Sequence, residues 1–214
     1  VVNDKNQLLG RITVDDIIEI GADEVQEDFR ALAQIEEDIF SSPKKSIKNR
    51  IFWLSINLFT AIIAAASINL FADVFEKVIY AAVLMPIVAS MGGIAATQTL
   101  GIYIRAEAMR KLSKKNFRYL FRREFIVSIV NAIFFSIFIF GITYFWFSDY
   151  NLAIAISIAM ILNLIMAAVG GFLLPYILRN IGYDPAISGG VIITTITDLI
   201  GFVTFLGIVS FLVV

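Results

Sequence analysis

Five long runs with little or no charge constrain the fold of this chain more than any other feature. A helix needs about 20 apolar residues to cross roughly 30 Å of hydrocarbon, and every run reaches that length. The runs cover residues 51–72, 78–104, 125–148, 151–178 and 190–214. With 59% hydrophobic residues overall, the chain is far more apolar than a soluble domain. We therefore predict an all-α membrane protein with five transmembrane helices per subunit.

The basic residues lie on one side of the predicted membrane. The loop 105–123 holds eight bases against one acid, Glu107, and further bases flank the first and fourth runs on the same side. The full set is Lys44, Lys45, Lys48, Arg50, Arg105, Arg110, Lys111, Lys114, Lys115, Arg118, Arg122, Arg123 and Arg179. Cytoplasmic loops are enriched in Lys and Arg. We predict a multi-pass protein of the inner or plasma membrane, with a cytoplasmic N-terminal region and an external C-terminus.

Asp198 is the residue that points most directly to a function. Thirteen uncharged residues precede it and sixteen follow, so it falls near the middle of the last predicted span. An ionisable group at that depth costs about 2.5–3.5 kcal/mol on insertion scales, which makes it a functional-site hypothesis by default. The alternative is a carboxylate that bonds to Thr194, Thr195 or Thr197 purely for packing. We favour a carboxylate that faces a polar path through the membrane.

The spans contain more polar, small and helix-breaking residues than a simple anchor needs. These residues are Asn57, Asn69, Gln98, Asn131 and Asn163, the pairs Gly92-Gly93 and Gly170-Gly171, and Pro86 and Pro175, which are predicted to kink their helices. Small residues allow close helix contact, and Pro or Gly frees backbone carbonyls. Helix packing is a sufficient explanation for most of these residues when each is considered by itself. Together with Asp198 they indicate a bundle that encloses a polar route.

The composition excludes several kinds of site. The sequence has no Cys and no His, which removes the usual ligands of zinc, copper and iron–sulfur centres and also Ser-His or Cys-His catalysis. Any bound metal must then be a hard ion held by oxygens. The net charge of −1 argues against a nucleic-acid partner.

The first 38 residues are acidic, with eleven acids and three bases. Residues 1–20 are typical of a strand, a turn, a second strand over 8–14 and a helix that starts near Asp15 and Asp16. So small a piece cannot bury a core of its own. We expect 1–21 to be the end of a larger domain, and the chain to be part of a longer protein.

Residues 22–43 are predicted to form an amphipathic helix ahead of a transmembrane domain at 44–214. Apolar residues recur there at spacings of three and four. Five acids lie off that stripe: Glu24, Glu27, Asp28, Glu37 and Asp38. Two interpretations stay open. The helix is either a solvated linker with one packed face, or an acidic element at the cytoplasmic mouth whose repulsion is relieved by bound cations.

Three segments carry a family resemblance. LMPIVASMGGIAATQTL (84–100), GYDPAISGG (182–190) and TTITDLIGF (194–202) resemble the MgtE family of magnesium transporters and channels, and the similarity extends over essentially the whole chain. VVNDKNQLLGRITVDDIIEI (1–20) looks like the end of a CBS domain, as in that family. Residues 22–40 lie where the family has its long cytoplasmic plug helix.

The resemblance implies a homodimer of five-helix subunits with a magnesium path along the two-fold axis. It also implies Mg²⁺ as the transported ion, with a further regulatory role for Mg²⁺ bound by cytoplasmic domains that hold the plug shut. The family's selectivity site maps onto Asp198. Candidates for the rest of the ion pathway are Thr194, Thr195, Gly92, Gly93 and Asn163.

Two positions depart from the family pattern. Ile94 stands where Asn commonly follows the glycine pair, and Gly190 stands where Pro is common. The first change removes a polar group beside the expected path, and the second is expected to loosen the start of the last helix. Neither involves Asp198.

The chemistry of Mg²⁺ agrees with a sparse site. This ion holds its water tightly and prefers octahedral oxygen ligands, so one Asp per subunit, doubled by symmetry, suits a mostly hydrated ion. The sequence leaves three other functions open. An intramembrane aspartyl protease needs two acids that share protons, whereas Asp198 is the one acid within a predicted span. A proton-coupled transporter of another divalent cation or solute is the main alternative, and a purely structural membrane subunit is the third.

We predict that the acids of 22–43 sense divalent ions. Bridging cations should draw two copies of this acidic helix together, because bound cations offset the repulsion between carboxylates. Neutralising Glu24, Glu27, Asp28, Glu37 and Asp38 should then abolish the Mg²⁺-dependent protection of 22–43 from protease. Protection that stays unchanged in the neutralised protein would exclude these acids as the sensor.

Overall fold

The computed structural model of the chain describes residues 4–8, 10–21, 23, 42–109, 112–183 and 185–213. The chain divides into two compact units, Val1–Ile51 and Phe52–Val214. Most of the predicted amphipathic helix lies outside the described residues, and so do all five of its acids, Glu24, Glu27, Asp28, Glu37 and Asp38.

The first unit contains a helix that begins with a capping box. Residues 14–21 form α1. The backbone N–H and the hydroxyl of Thr13 donate to Asp16 Oδ2 at 2.6 and 2.8 Å, and the Asp16 N–H donates to Thr13 Oγ1 at 3.4 Å. Reciprocal bonds of this kind satisfy donors at a helix start, and those from Thr13 lower the pKa of the Asp16 carboxyl from its ordinary value. The predicted helix start near Asp15 and Asp16 is confirmed.

The strand predicted over 8–14 is wrong for the residues that the structure describes. Leu8 makes an isolated bridge, residues 10–13 have no regular structure, and α1 begins at residue 14. A strand needs a neighbouring strand for its backbone hydrogen bonds, and the described part of this unit contains no ladder. The apolar side chains of Leu8, Ile12 and Val14 are exposed, as expected of a piece that has no core of its own.

Five helices are long and apolar enough to cross a membrane. They are α2 (Pro43–Asn69), α4 (Ile79–Ala108), α5 (Lys114–Phe147), α6 (Tyr150–Asn180) and α7 (Pro185–Leu212), and a short helix, α3 (Ala72–Lys77), stands between α2 and α4. No strand occurs in the part of the chain that the structure describes. The prediction of an all-α membrane protein with five transmembrane helices is confirmed.

Four of the five membrane helices, all except α4, begin earlier than their uncharged runs do. α2 begins at Pro43 and α5 at Lys114, so their first turns carry basic residues ahead of the apolar stretch. Ser113 caps α5 by accepting a hydrogen bond from the Asn116 N–H at 3.3 Å, and Asp149 caps α6 by accepting one from the Leu152 N–H at 3.0 Å. The length of an uncharged run therefore underestimates the length of the membrane helix, because the polar turns at the helix end continue into the headgroup region.

α6 is the central helix of the second unit, and α4, α5 and α7 pack against it. Its buried face is rich in small residues, including Ala155, Ala159 and Ala167. A Cβ added at Gly171 would lie 2.6 Å from the Ala96 carbonyl oxygen of α4. The two backbones thus approach too closely for any side chain at that point.

α2 adds little to this core. Ala64 is its one buried residue among those described, whereas Leu54, Leu58 and Phe59 are exposed. Such a surface in a membrane faces lipid or another chain. Pro86 and Pro175, which were predicted to kink their helices, lie inside α4 and α6, and both helices continue through them.

Candidate functional site

Asp198 lies in a recess of about 520 Å³ that is formed by α4 and α7 and is open at the surface of the bundle; we call this recess the Asp198 cavity. Thr194 and Asp198 are four residues apart and come from one face of α7. The α4 wall consists of Ala89, Ser90, Gly93, Ile94, Thr97 and Gln98. Because residues three and four apart share a helix face, these small and polar residues form one stripe of α4, and that stripe faces the carboxylate.

The hydroxyl groups near Asp198 are used elsewhere. Thr194 Oγ1 donates to the carbonyl oxygens of Gly190 and Val191, each at 3.0 Å. Thr195 Oγ1 donates to Val191 O at 2.7 Å, and Thr197 Oγ1 donates to Ile193 O and Thr194 O at 3.1 and 2.9 Å.

The Asp198 carboxylate therefore has no threonine donor. Its half-buried side chain also receives no hydrogen bond from any other residue in the described part of the chain. The packing alternative, in which Thr194, Thr195 or Thr197 satisfies the acid, does not agree with this arrangement. A desolvated carboxylate without donors calls for a cation or for ordered water.

Asn163 and Gly92 lie behind the cavity rather than in it. The Asn163 side chain is fully buried, and its Nδ2 donates to Val88 O at 2.8 Å. A Cβ at Gly92 would lie 2.7 Å from Asn163 Cγ, and one at Gly201 would lie 2.8 Å from Asn163 Nδ2. The amide thus fills a junction at which α4, α6 and α7 meet, on the face adjacent to the Asp198 cavity.

The structure brings together Asp198 and two of the candidate residues for the rest of the ion pathway. Asp198, Thr194 and Gly93 share the cavity, and a Cβ on Gly93 would lie 3.7 Å from Thr194 Cγ2. Gly92 and Asn163 form the adjacent junction, and Thr195 does not line this cavity.

Ser90 and Thr97 are cavity residues that the sequence argument missed. They stand three residues before and four residues after Gly93, and this spacing on one helix face could have identified them. Ile94 is 56% exposed and places an apolar side chain in the cavity wall. Gly190 lies inside α7, which begins at Pro185 rather than at the predicted residue 190.

The cavity offers a single carboxylate as a charged ligand. Among the residues that the structure describes, no group of three or more His, Cys, Asp or Glu side chains is placed to hold a metal ion. An ion here would bind Asp198 and retain most of its water, with polar groups of α4 and α7 contacting those waters.

We predict opposite effects of an added methyl group at two adjacent glycines. Gly92→Ala should lower the free energy of unfolding by about 1–3 kcal/mol, because its Cβ overpacks against Asn163. Gly93→Ala should be neutral or slightly stabilising, since its Cβ meets only an ordinary contact and alanine favours helix by up to about 1 kcal/mol. Thermal unfolding in detergent tests both. Equal stability of the two variants would contradict the tight packing of Gly92 against Asn163.

Comparisons with known proteins point to ion transport. Residues 85–208 match the profile of a family described as MgtE, divalent cation transporter. The magnesium transporter MgtE of Bacillus subtilis is 32% identical over 212 residues, which is 98% of this chain and 47% of that protein. The protein of the same name from Enterococcus faecalis is 30% identical over 206 residues, 96% of this chain and 46% of its own length.

A third relative extends the comparison. The magnesium transporter MgtE of Thermus thermophilus is 27% identical over 216 residues, which is 99% of this chain and 48% of that protein. The chain thus spans about half the length of the curated relatives that it matches.

Proposed function

Because this chain belongs to the MgtE family of divalent cation transporters, we propose that it conducts Mg²⁺ across a cell membrane through a homodimeric pore in which Asp198 of each subunit binds the ion. The family is one of transporters, not enzymes. The observation that carries the proposal is the position of Asp198, which lies on a transmembrane helix, in a cavity, with no donor from the described residues.

The ligand chemistry favours Mg²⁺. A hydrated Mg²⁺ ion needs a few oxygen contacts in near-octahedral geometry and dehydrates reluctantly. Two Asp198 carboxylates attract the ion, and the ion offsets their mutual repulsion. Conduction also requires that binding be strong enough for entry and weak enough for release. Without Cys or His, soft metals find no preferred ligand.

A second copy of the chain completes the site. Four of the six residues in the α4 wall of the cavity, Ala89, Ser90, Gly93 and Thr97, are small, and small residues permit close helix association in membranes. An isologous interface of two-fold symmetry brings the same patch together from both subunits. We place the two-fold axis near Asp198.

The remaining assignments complete the proposed channel. The basic end of the bundle, where α2 and α5 begin and α4 and α6 end, faces the cytoplasm, and the C-terminus is external. Residues 1–21 are the end of a CBS-like domain, 22–43 form a plug helix, and 44–214 form the transmembrane domain. Mg²⁺ bound by Glu24, Glu27, Asp28, Glu37 and Asp38 regulates opening.

Asp198→Asn tests the site. Uptake of Mg²⁺ into proteoliposomes should fall at least about tenfold, because contacts to a charged group are worth roughly 1.5–3 kcal/mol. Asp73→Asn is the control, since Asp73 is an exposed acid of α3 outside the cavity. Normal uptake by Asp198→Asn would exclude the carboxylate from the mechanism. Uptake by the unaltered protein that requires a pH gradient would favour the proton-coupled alternative.

Cysteine cross-linking tests the dimer. The sequence contains no Cys, so Ser90→Cys creates a unique thiol in the cavity. Oxidation in membranes should yield a covalent dimer through this residue. Val130→Cys, an exposed position on α5 that does not line the cavity, should stay monomeric. Cross-linking at Val130 but not at Ser90 would place the interface elsewhere.

A further inference from the structure

Two further cavities lie between α4 and α5, and neither includes Asp198. One, of about 510 Å³, is bordered by Arg105, Asn116 and Tyr119 near the basic end of the bundle. The other, of about 390 Å³, continues past Ile94 and Val127 towards the middle of the bundle. Ile102 and Arg123 border both cavities, so the two cavities adjoin along the bundle. We call the two adjoining cavities together the α4–α5 groove.

The groove exists because α4 and α5 hardly touch each other. Both helices pack against α6, and their own contact is slight. Along α4 the groove extends from Met91 to Met109, which is about 27 Å at 1.5 Å per residue. One leaflet of hydrocarbon is about 15 Å thick, half of the roughly 30 Å core. The groove is long enough for a lipid headgroup and an acyl chain.

The mouth of the groove is positively charged. Arg105 lies in the last turn of α4, is exposed, and forms no ion pair with any described residue. Arg123 pairs with the buried carboxylate of Glu124, at 3.0 Å. Two guanidinium groups thus stand against one carboxylate. Arg binds phosphate through paired charge-assisted hydrogen bonds, and Tyr119 is of the type that favours the membrane interface.

The inner part of the groove is largely apolar. Ile94, Val127 and Phe135 border it. The hydroxyls of Thr99 and Ser128 donate to the carbonyl oxygens of Ala95 at 3.1 Å and Leu164 at 2.7 Å, so their polar atoms are already satisfied.

The other polar groups of this wall are the amides of Gln98 and Asn131 and, towards the basic end, the Arg123–Glu124 ion pair. A soluble phosphate would leave the apolar inner part of the groove unfilled, whereas a phospholipid would occupy both the basic mouth and the apolar inner part.

We propose that the α4–α5 groove binds one anionic phospholipid. Its phosphate lies at Arg105 and Arg123, and one acyl chain lies along Val127 towards Phe135. Ile94 and Gln98 border this groove and also the Asp198 cavity. The bound chain therefore supports the same stretch of α4 that forms the wall of the ion site. The proposed lipid site rests on the membrane fold and does not depend on which ion is transported.

Native mass spectrometry in detergent tests the headgroup contact. With equal amounts of phosphatidylglycerol and phosphatidylcholine, the unaltered protein should retain phosphatidylglycerol preferentially. Arg105→Gln should reduce that retention about fivefold, the effect of one basic residue near an anionic membrane surface. Arg118→Gln, an exposed arginine of α5 outside the groove, should leave it unchanged.

A second pair of variants tests the acyl contact without changing charge. Val127→Phe should fill the groove and reduce retention of both lipids, whereas Val130→Phe, one turn further along α5 and outside the groove, should not. Equal retention of both lipids by the unaltered protein would overturn the proposal. An equal loss of phosphatidylglycerol retention in Arg105→Gln and Arg118→Gln would also overturn it. Displacement of the lipid by excess inorganic phosphate would do the same.

Transport is measured separately in the same proteins. Mg²⁺ uptake should be faster in phosphatidylglycerol vesicles than in phosphatidylcholine vesicles, and Val127→Phe should reduce that difference. Lipid retention is measured independently of transport. The experiments can therefore contradict the lipid site while they support the Asp198 mechanism, or contradict the Asp198 mechanism while they support the lipid site.

Discussion

The close approach of α4 and α7 to α6 is the constraint on which the rest of the structure depends. Lipid is as apolar as the helix surfaces, so membrane helices gain stability from close packing rather than from burial away from water. That packing is achieved here where glycines meet larger groups, with Gly92 and Gly201 against Asn163. The amide of Asn163 bonds to the Val88 carbonyl, which ties α6 to α4 in the interior of the bundle.

The Asp198 cavity is a consequence of this junction. Once α4 and α7 are held against α6, the faces next to the junction are set, and they carry Gly93 and Thr97 on one side and Thr194 and Asp198 on the other. The threonine hydroxyls bond to their own helix, so the carboxylate gains no donor from them. Its charge remains available for a cation. A packing feature and an ion site thus occupy neighbouring faces of the same two helices.

The same arrangement explains why α4 and α5 leave a groove. Each packs on α6, and their contact with each other is slight. Membrane helices do not tolerate empty space of this size, since lipid or another chain fills any lateral opening. The ion pair of Arg123 with Glu124 borders the groove, and Arg123 lines both of its cavities. This charge makes the opening chemically different from the outer surface of α2.

The sequence by itself determined the class of the fold and the most informative residue. Uncharged runs of membrane length need no tertiary information to be recognised, because the bilayer sets the length. The free-energy cost of placing an acid in such a run is enough to mark it as a functional candidate, so Asp198 could also be identified from the sequence. The family of the chain also followed from residue order and spacing. The strand over 8–14 did not, because pairing depends on neighbours that a local pattern does not contain.

Only the tertiary structure decided which candidate residues share a site. Gly92 and Gly93 are adjacent in sequence, yet one packs on Asn163 and the other faces Thr194. Successive residues of a helix point about 100° apart, so the packing of α4 on α6 determines which one meets the cavity. Asn163 was expected on the ion path for its polarity, but its amide is fully buried in a helix junction. Polarity can be read from the sequence, whereas the direction in which a helix turns its polar face is set by the helices around it.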